Sequence, residues 1–212
     1  MSISIPLLRT AALPLLAMTA LLAAAPCASG AIIGTYVDAG HVNTTGMIVD
    51  GNGQPGDNSW HLRTDSSKNW EANTILECDD NTVTPGDLTT SITGLAAGTY
   101  NVYMVYWTNS GTGWFVSASL NDGDFATYDK TTGVATGIYA PNSTVVYERE
   151  VLLGQVTVAA NGGFSVTVQG HTTSQSTERS WYEGVAYEAV PEPASLALLG
   201  LGGLLARRRR RG

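Results

Sequence analysis

Residues Thr99 to Trp107 read TYNVYMVYW. In an extended chain Tyr100, Val102, Met104 and Tyr106 fall on one side, and Tyr103, Val105 and Trp107 on the other. Apolar side chains on both sides predict a strand in the middle of a sheet with each face covered. A chain that contains such a strand must supply neighbours for both its edges and covers for both its faces. The same period of two recurs elsewhere, and nothing between residues 31 and 189 carries a convincing period of 3.6.

Ile32 to Val37 is an apolar first strand, and Leu88 to Ile92 leads through Gly94-Leu95-Ala96-Ala97-Gly98 into Thr99. Trp114, Val116, Ala118 and Leu120 alternate inward against Phe115, Ser117 and Ser119. Val145 to Val158 is a long strand with a bend expected at Gly154. Phe164, Val166 and Val168 line another, and Trp181 to Ala189 (WYEGVAYEA) closes the series with Trp181, Val185 and Tyr187 on one face. About eight to ten strands with Gly- and Asn-rich turns in about 160 residues predict an all-β fold, an antiparallel β-sandwich. Asp50 to Asn58 and Asp79 to Asp87 are its expected long loops. The glycine turn before TYNVYMVYW, with WYEGVAYE as last strand, resembles the jelly-roll, galactose-binding-like domains of secreted bacterial proteins. That resemblance implies a closing strand that returns beside the first.

The ends have a different character. Arg9 precedes a 15-residue apolar stretch, Ala11 to Ala25, and Ala28-Ser29-Gly30 places small residues where a signal peptidase reads the chain. Residues 1–30 therefore read as a signal peptide with an apolar helical segment, cleaved before Ala31. Its removal takes Cys27 and leaves Cys78 as the one cysteine, so no intramolecular disulfide is expected.

Residues 190–212 run from Val190-Pro191-Glu192-Pro193 through an apolar stretch, Ala194 to Ala206, to Arg207, Arg208, Arg209, Arg210 and Arg211. The prolines hold the chain extended and open to a processing enzyme. The apolar stretch enters a bilayer as a short transmembrane helix, about 20 Å long against a hydrocarbon core of about 30 Å. The arginines remain cytoplasmic and fix the body outside. These parts, in this order, resemble the PEP-CTERM sorting signal of Gram-negative bacteria. The resemblance implies an exosortase-type processing enzyme as partner and an inner-membrane-anchored precursor. After processing, it implies a cell-surface or extracellular location. Residues 31–189 between the two ends form the single β-sandwich domain.

Between residues 31 and 190 there are five cations, Arg63, Lys68, Lys130, Arg149 and Arg179, against 17 acids, a net charge near −12. A body this acidic excludes nucleic acid as a partner. Three function classes fit the remainder. The first is a non-catalytic surface or matrix protein that binds extracellular polysaccharide. The chain has five Trp and nine Tyr but only three Phe, and rings with a polar handle stack on sugars. Trp60, Trp70 and Trp107, with Asn109, are the candidate carbohydrate-binding residues.

The second class is a glycoside hydrolase. Glu148 and Glu150 lie at i and i+2 on one strand face, roughly 7 Å apart, within the separation that a catalytic carboxylate pair uses. Laminarinase-like jelly rolls have strand carboxylates at similar spacing. Here the intervening Asp and the third acid of that pattern are absent, and the pair is expected on a solvent-facing edge strand. The third class is a purely structural matrix module. His41, His61 and His171 have no partners at zinc-ligand spacing, and no nucleophile elbow or phosphate loop is present. No cofactor is expected. The one metal candidate is calcium, at the clustered oxygen ligands Asp79 and Asp80 or Asp122 and Asp124.

Overall fold

The computed structural model describes residues 34–51, 59–63, 75–78, 86–140, 143–170 and 179–192. Its strands are β1 (Thr35–Asp38), β2 (Thr44–Thr45), β3 (Ile48–Asp50), β4 (Trp60–Arg63), β5 (Ile75–Cys78), β6 (Leu88–Leu95) and β7 (Gly98–Asn109). They continue as β8 (Val116–Leu120), β9 (Ala126–Tyr128), β10 (Val134–Tyr139), β11 (Val146–Val158), β12 (Gly162–Gly170) and β13 (Ser180–Ala189). No helix occurs among the described residues. The expected signal helix and C-terminal membrane helix lie outside them.

The strands form two sheets, an all-β arrangement consistent with a sandwich. The larger has the order β10-β11-β7-β13-β5-β4-β3, with β1 also paired to β13. The smaller has the order β2-β6-β12-β8-β9. Every pairing is antiparallel except β3 with β4. The strand TYNVYMVYW is interior, flanked by β11 and β13 along its length. The closing strand returns beside the first, with Thr35 opposite Tyr187 and Val37 opposite Val185.

The core between the sheets takes Tyr100, Val102, Met104 and Tyr106 from β7, Val116 and Ala118 from β8, and Phe164, Val166 and Val168 from β12. Fully burying a side chain of this size stabilises by about 1.5–3 kcal/mol. Tyr103 and Val105 point the other way, into a second apolar cluster with Ala186. A third cluster holds Trp107, Trp114, Trp181, Ile75 and Ala140. β7 is thus covered on both faces.

Two expectations about facing fail, each for a local reason. Trp114 precedes β8 and packs in the third cluster, its ring centroid 4.3 Å from that of Trp181, rather than in the inter-sheet core. Trp181 does not share a face with Val185 and Tyr187. The register of β13 on β7 shifts between Tyr182 and Gly184, so Glu183 is an extra residue and parity inverts across it. The bend expected at Gly154 does occur, as a register shift between Leu152 and Gly154.

Candidate functional site

Cross-strand register places one row of side chains on the outer face of the large sheet. Glu148 pairs with Trp107, Trp107 with Trp181, Trp181 with Glu77, and Glu77 with His61. Residues directly opposite one another share a face, so the row crosses five strands with a carboxylate at β11 and another at β5. Three strand spacings separate these two, about 14 Å. Glu183, the extra residue of the β13 bulge, adds a third carboxylate and accepts a hydrogen bond from Trp107 Nε1.

All three carboxylates are fully buried. Arg63 lies on the same face, two residues along β4 from His61, opposite Ile75. Its Nη1 donates to Glu77 Oε2 at 2.5 Å, and its guanidinium stands 5.9 Å from the Trp181 ring centroid. Arg179 stands 5.9 Å from the Trp114 ring and 6.0 Å from that of Trp181, so the paired indoles carry cations at their faces.

Beside the row, the bulge fixes a second polar group. Tyr36 Oη lies 3.2 Å from both Asp38 Oδ1 and the Glu183 carbonyl oxygen, its two acceptors. Burial, then the charges of Glu183 and Asp38, push the Tyr36 phenol far above its ordinary value. Further along the same face Gln155 Nε2 donates to Asn101 Oδ1 (2.8 Å), and Asn101 Nδ2 donates to Glu188 Oε1 (3.0 Å). Tyr103 Oη donates to the same Glu188 oxygen at 2.8 Å. These two donors hold Glu188 below its ordinary carboxylate value.

The expected site residues are distributed differently. Trp60 and Trp107 present no ring face to solvent, being 0% and 1% exposed. Trp60 faces the inter-sheet core and donates from Nε1 to the Gly86 carbonyl at 2.9 Å. Polar sequence neighbours do not expose a ring when the strand itself is covered on both sides. Asn109, at the end of β7, uses Oδ1 to accept from the Gly111 amide at 2.8 Å, which turns the chain out of the strand. Trp70 lies outside the described residues.

Glu148 and Glu150 do share a face, but not on a solvent-facing edge. Their strand β11 runs between β10 and β7, and the two are 0% and 5% exposed. Sequence reasoning missed Glu77 and Glu183. The signal for Glu183 was the Glu-Gly pair inside WYEGVAYEA, since a strand-interior glycine marks a bulge or a close approach. Here it marks both: a Cβ on Gly184 would lie 2.3 Å from the Val37 carbonyl oxygen.

Asp122 is accounted for by turn chemistry. Asn121 and Asp122 both have positive φ, 50° and 57°, and the Gly123 amide donates to the Leu120 carbonyl at 3.1 Å. That is the two-residue hairpin turn for which Asn and Asp are the favoured non-glycine residues. Asp124 is exposed in the same connection. Asp79 and Asp80 lie outside the described residues. Among the described residues no group of three His, Cys, Asp or Glu side chains is placed to hold a metal ion.

Val190 donates its amide to the Thr99 carbonyl at 2.8 Å, and Pro191 and Glu192 follow exposed. Pro193 and Arg207 to Arg211 lie outside the described residues. Residues 189–211 match the model of the PEP-CTERM protein-sorting motif. The match supports an exported, membrane-anchored precursor in a Gram-negative-type bacterium.

No curated protein matches the chain. Among solved structures it is similar to a xanthan lyase from Paenibacillus, at 15% identity and a TM-score of 0.41 over 62% of this chain and 12% of that one. An exo-beta-1,3-galactanase from Phanerochaete chrysosporium aligns at 16% identity and a TM-score of 0.39, over 73% of this chain and 30% of the other. A GH26-CBM35 beta-(1,4)-mannanase from Podospora anserina aligns at 12% identity and a TM-score of 0.31, over 74% and 27%. The chain thus spans less than a third of the length of each of these structures.

Proposed function

We propose that this is a non-catalytic exported protein of the cell surface or extracellular matrix, with extracellular polysaccharide as the ligand of its β-sandwich body. The observation that carries the exported, surface-sorted part of this reading is the sorting-motif match over residues 189–211. Its placement supports the same reading: the last strand delivers Pro191 and Glu192 to solvent immediately after the Val190–Thr99 hydrogen bond. An enzyme that reads the Pro-Glu-Pro segment therefore meets Pro191 and Glu192 exposed, with the folded body directly before them. Replacing Pro191, Glu192 and Pro193 together by alanine should leave the protein accumulated in the inner-membrane fraction. Unchanged delivery of that variant to the surface would overturn the sorting half of the proposal.

A hydrolase reading has one observation in its favour. Glu148 and Glu183 are carboxylates withdrawn from water, and glycosidases commonly set one of their two carboxyl groups in a less polar environment. Against it, hydrolysis requires a cleft in which a sugar and a water reach both carboxylates. Here the same burial places the carboxylates within a packed tryptophan cluster. The reducing-end assay decides: no polysaccharide should yield new reducing ends with the wild type. Release that disappears in Glu148→Gln/Glu150→Gln or in Glu183→Gln would make the protein an enzyme.

A further inference from the structure

The outer face of the small sheet has a composition unlike the rest of this acidic body. Over its regularly paired part every outward residue is Ser or Thr except Gln169, whose Nε2 donates to the carboxylate of Asp87, exposed just before β6, at 3.0 Å. One row, Thr45–Thr89–Thr167–Ser119, crosses β2, β6, β12 and β8 in register. The next, Gln169–Ser117–Thr127, crosses β12, β8 and β9. Strands about 4.8 Å apart, with same-face residues about 6.8 Å apart along each, turn these rows into a two-dimensional grid of hydroxyls.

The grid is partly ordered and partly unsatisfied. Thr89 and Thr167 hydroxyls pair at 3.0 Å, and those of Ser117 and Thr127 at 2.8 Å. Each hydroxyl has one donor and two acceptor sites, so a pair consumes one O–H and leaves the other available. Exposure grades across the sheet: Thr45 and Thr127 on the flanking strands are exposed, whereas Ser117, Ser119 and Thr167 form a buried floor. Ser119 is 2% exposed, and its Oγ has no hydrogen-bond partner among the described residues.

We propose that this face docks a neutral polysaccharide. The inference rests on the surface-protein reading above and names the class of ligand. A body with net charge near −12 repels anionic polymers, and a face without a cation offers them no compensating contact. A grid presenting donors and acceptors alike matches a polymer that presents the same, and a neutral chain of sugar hydroxyls does so. Each contact is weak, and retention depends on many contacts along one polymer and on many protein copies on one surface.

The test uses the full chain in detergent, sedimented with insoluble neutral β-glucan particles and, separately, mixed with alginate in affinity electrophoresis. Thr45→Val/Thr89→Val/Thr127→Val removes hydroxyls while keeping shape and strand propensity. Thr99→Val/Thr157→Val removes the exposed hydroxyl pair on the large sheet, 3.1 Å apart, as a control. Wild type and control should sediment with the glucan, and the triple variant should bind at least about tenfold more weakly. Thr127→Lys, a single bulky change at an exposed position, should weaken retention even if the triple variant fails to fold. Equal binding by wild type and Thr127→Lys would overturn the proposal, as would retention on alginate alone or no retention at all. Surface delivery is scored separately, by protease treatment of intact cells. A surface-delivered protein that ignores glucan would refute the docking face and leave the sorting reading standing.

Discussion

Trp107 on β7 donates its indole N–H to the carboxylate of Glu183, the extra residue of the β13 bulge, on the face of the large sheet turned away from the inter-sheet core. The bulge leaves Glu183 with no residue opposite it on β7. Had β13 alternated regularly through this position, Trp181, Glu183 and Val185 would share one face. The contact therefore couples a local irregularity of one strand to the third apolar cluster.

Removing the donor while keeping an aromatic ring should expose the value of that contact. Trp107→Phe leaves a buried carboxylate short of one hydrogen bond, and should lower unfolding free energy by about 1–3 kcal/mol. Urea unfolding followed by far-UV circular dichroism measures it. A midpoint equal to that of the wild type would show that Glu183 is satisfied without Trp107.

Gly184 is held by space rather than by backbone conformation. A Cβ there would meet the Val37 carbonyl oxygen at 2.3 Å and Tyr36 Cε2 at 3.0 Å. Gly184→Ala must push β1 off β13, and should destabilise by about 1–3 kcal/mol or more. Hydrogen exchange at Val37 and Val185 should rise before exchange in the small sheet does. Unchanged exchange and an unchanged urea midpoint would contradict the close approach.

Stability should fall at alkaline pH for an identifiable reason. Burial raises the Tyr36 and Tyr182 phenols above the ordinary tyrosine value of 10.0, and burial with the Glu188 hydrogen bond pushes Tyr103 up to about 12. The folded state keeps protons that the unfolded chain releases near pH 10, so this stabilisation is complete below that pH and is lost as pH rises through the folded values. Glu188 acts in the opposite direction. The Asn101 and Tyr103 donors lower its folded pKa, so its contribution is present above the unfolded value of 4.5 and lost as pH falls below it. Tyr103→Phe should flatten both limbs of the Tm-versus-pH curve. Identical curves for wild type and variant would contradict the assignment.

Much of the sandwich was legible because facing in a strand depends only on parity. β7, β8 and β12 each put their alternate apolar residues into the inter-sheet core as the pattern requires. The hydroxyl face of the small sheet was legible on the same terms, as the Ser and Thr residues interleaved with Val166, Val168, Val116 and Ala118. Trp181 was misassigned because one inserted residue reverses parity, and period alone does not register an insertion. The burial of Glu148 and the partnership of Trp107 with Glu183 were illegible for a different reason. Both depend on pairings between strands distant in the chain, with Glu148 opposite Trp107 and Trp107 opposite Trp181.

The central claim, that the body is exported and the arginine cluster is not, is tested most directly by protease accessibility. Proteinase K added to spheroplasts expressing the chain with an epitope after Gly212 should digest residues 31–190 and leave a short tagged fragment containing Arg207 to Arg211. That outcome follows from a cationic cluster held on the cytoplasmic side of a short apolar segment. Protection of the body, with digestion of the tag, would contradict it.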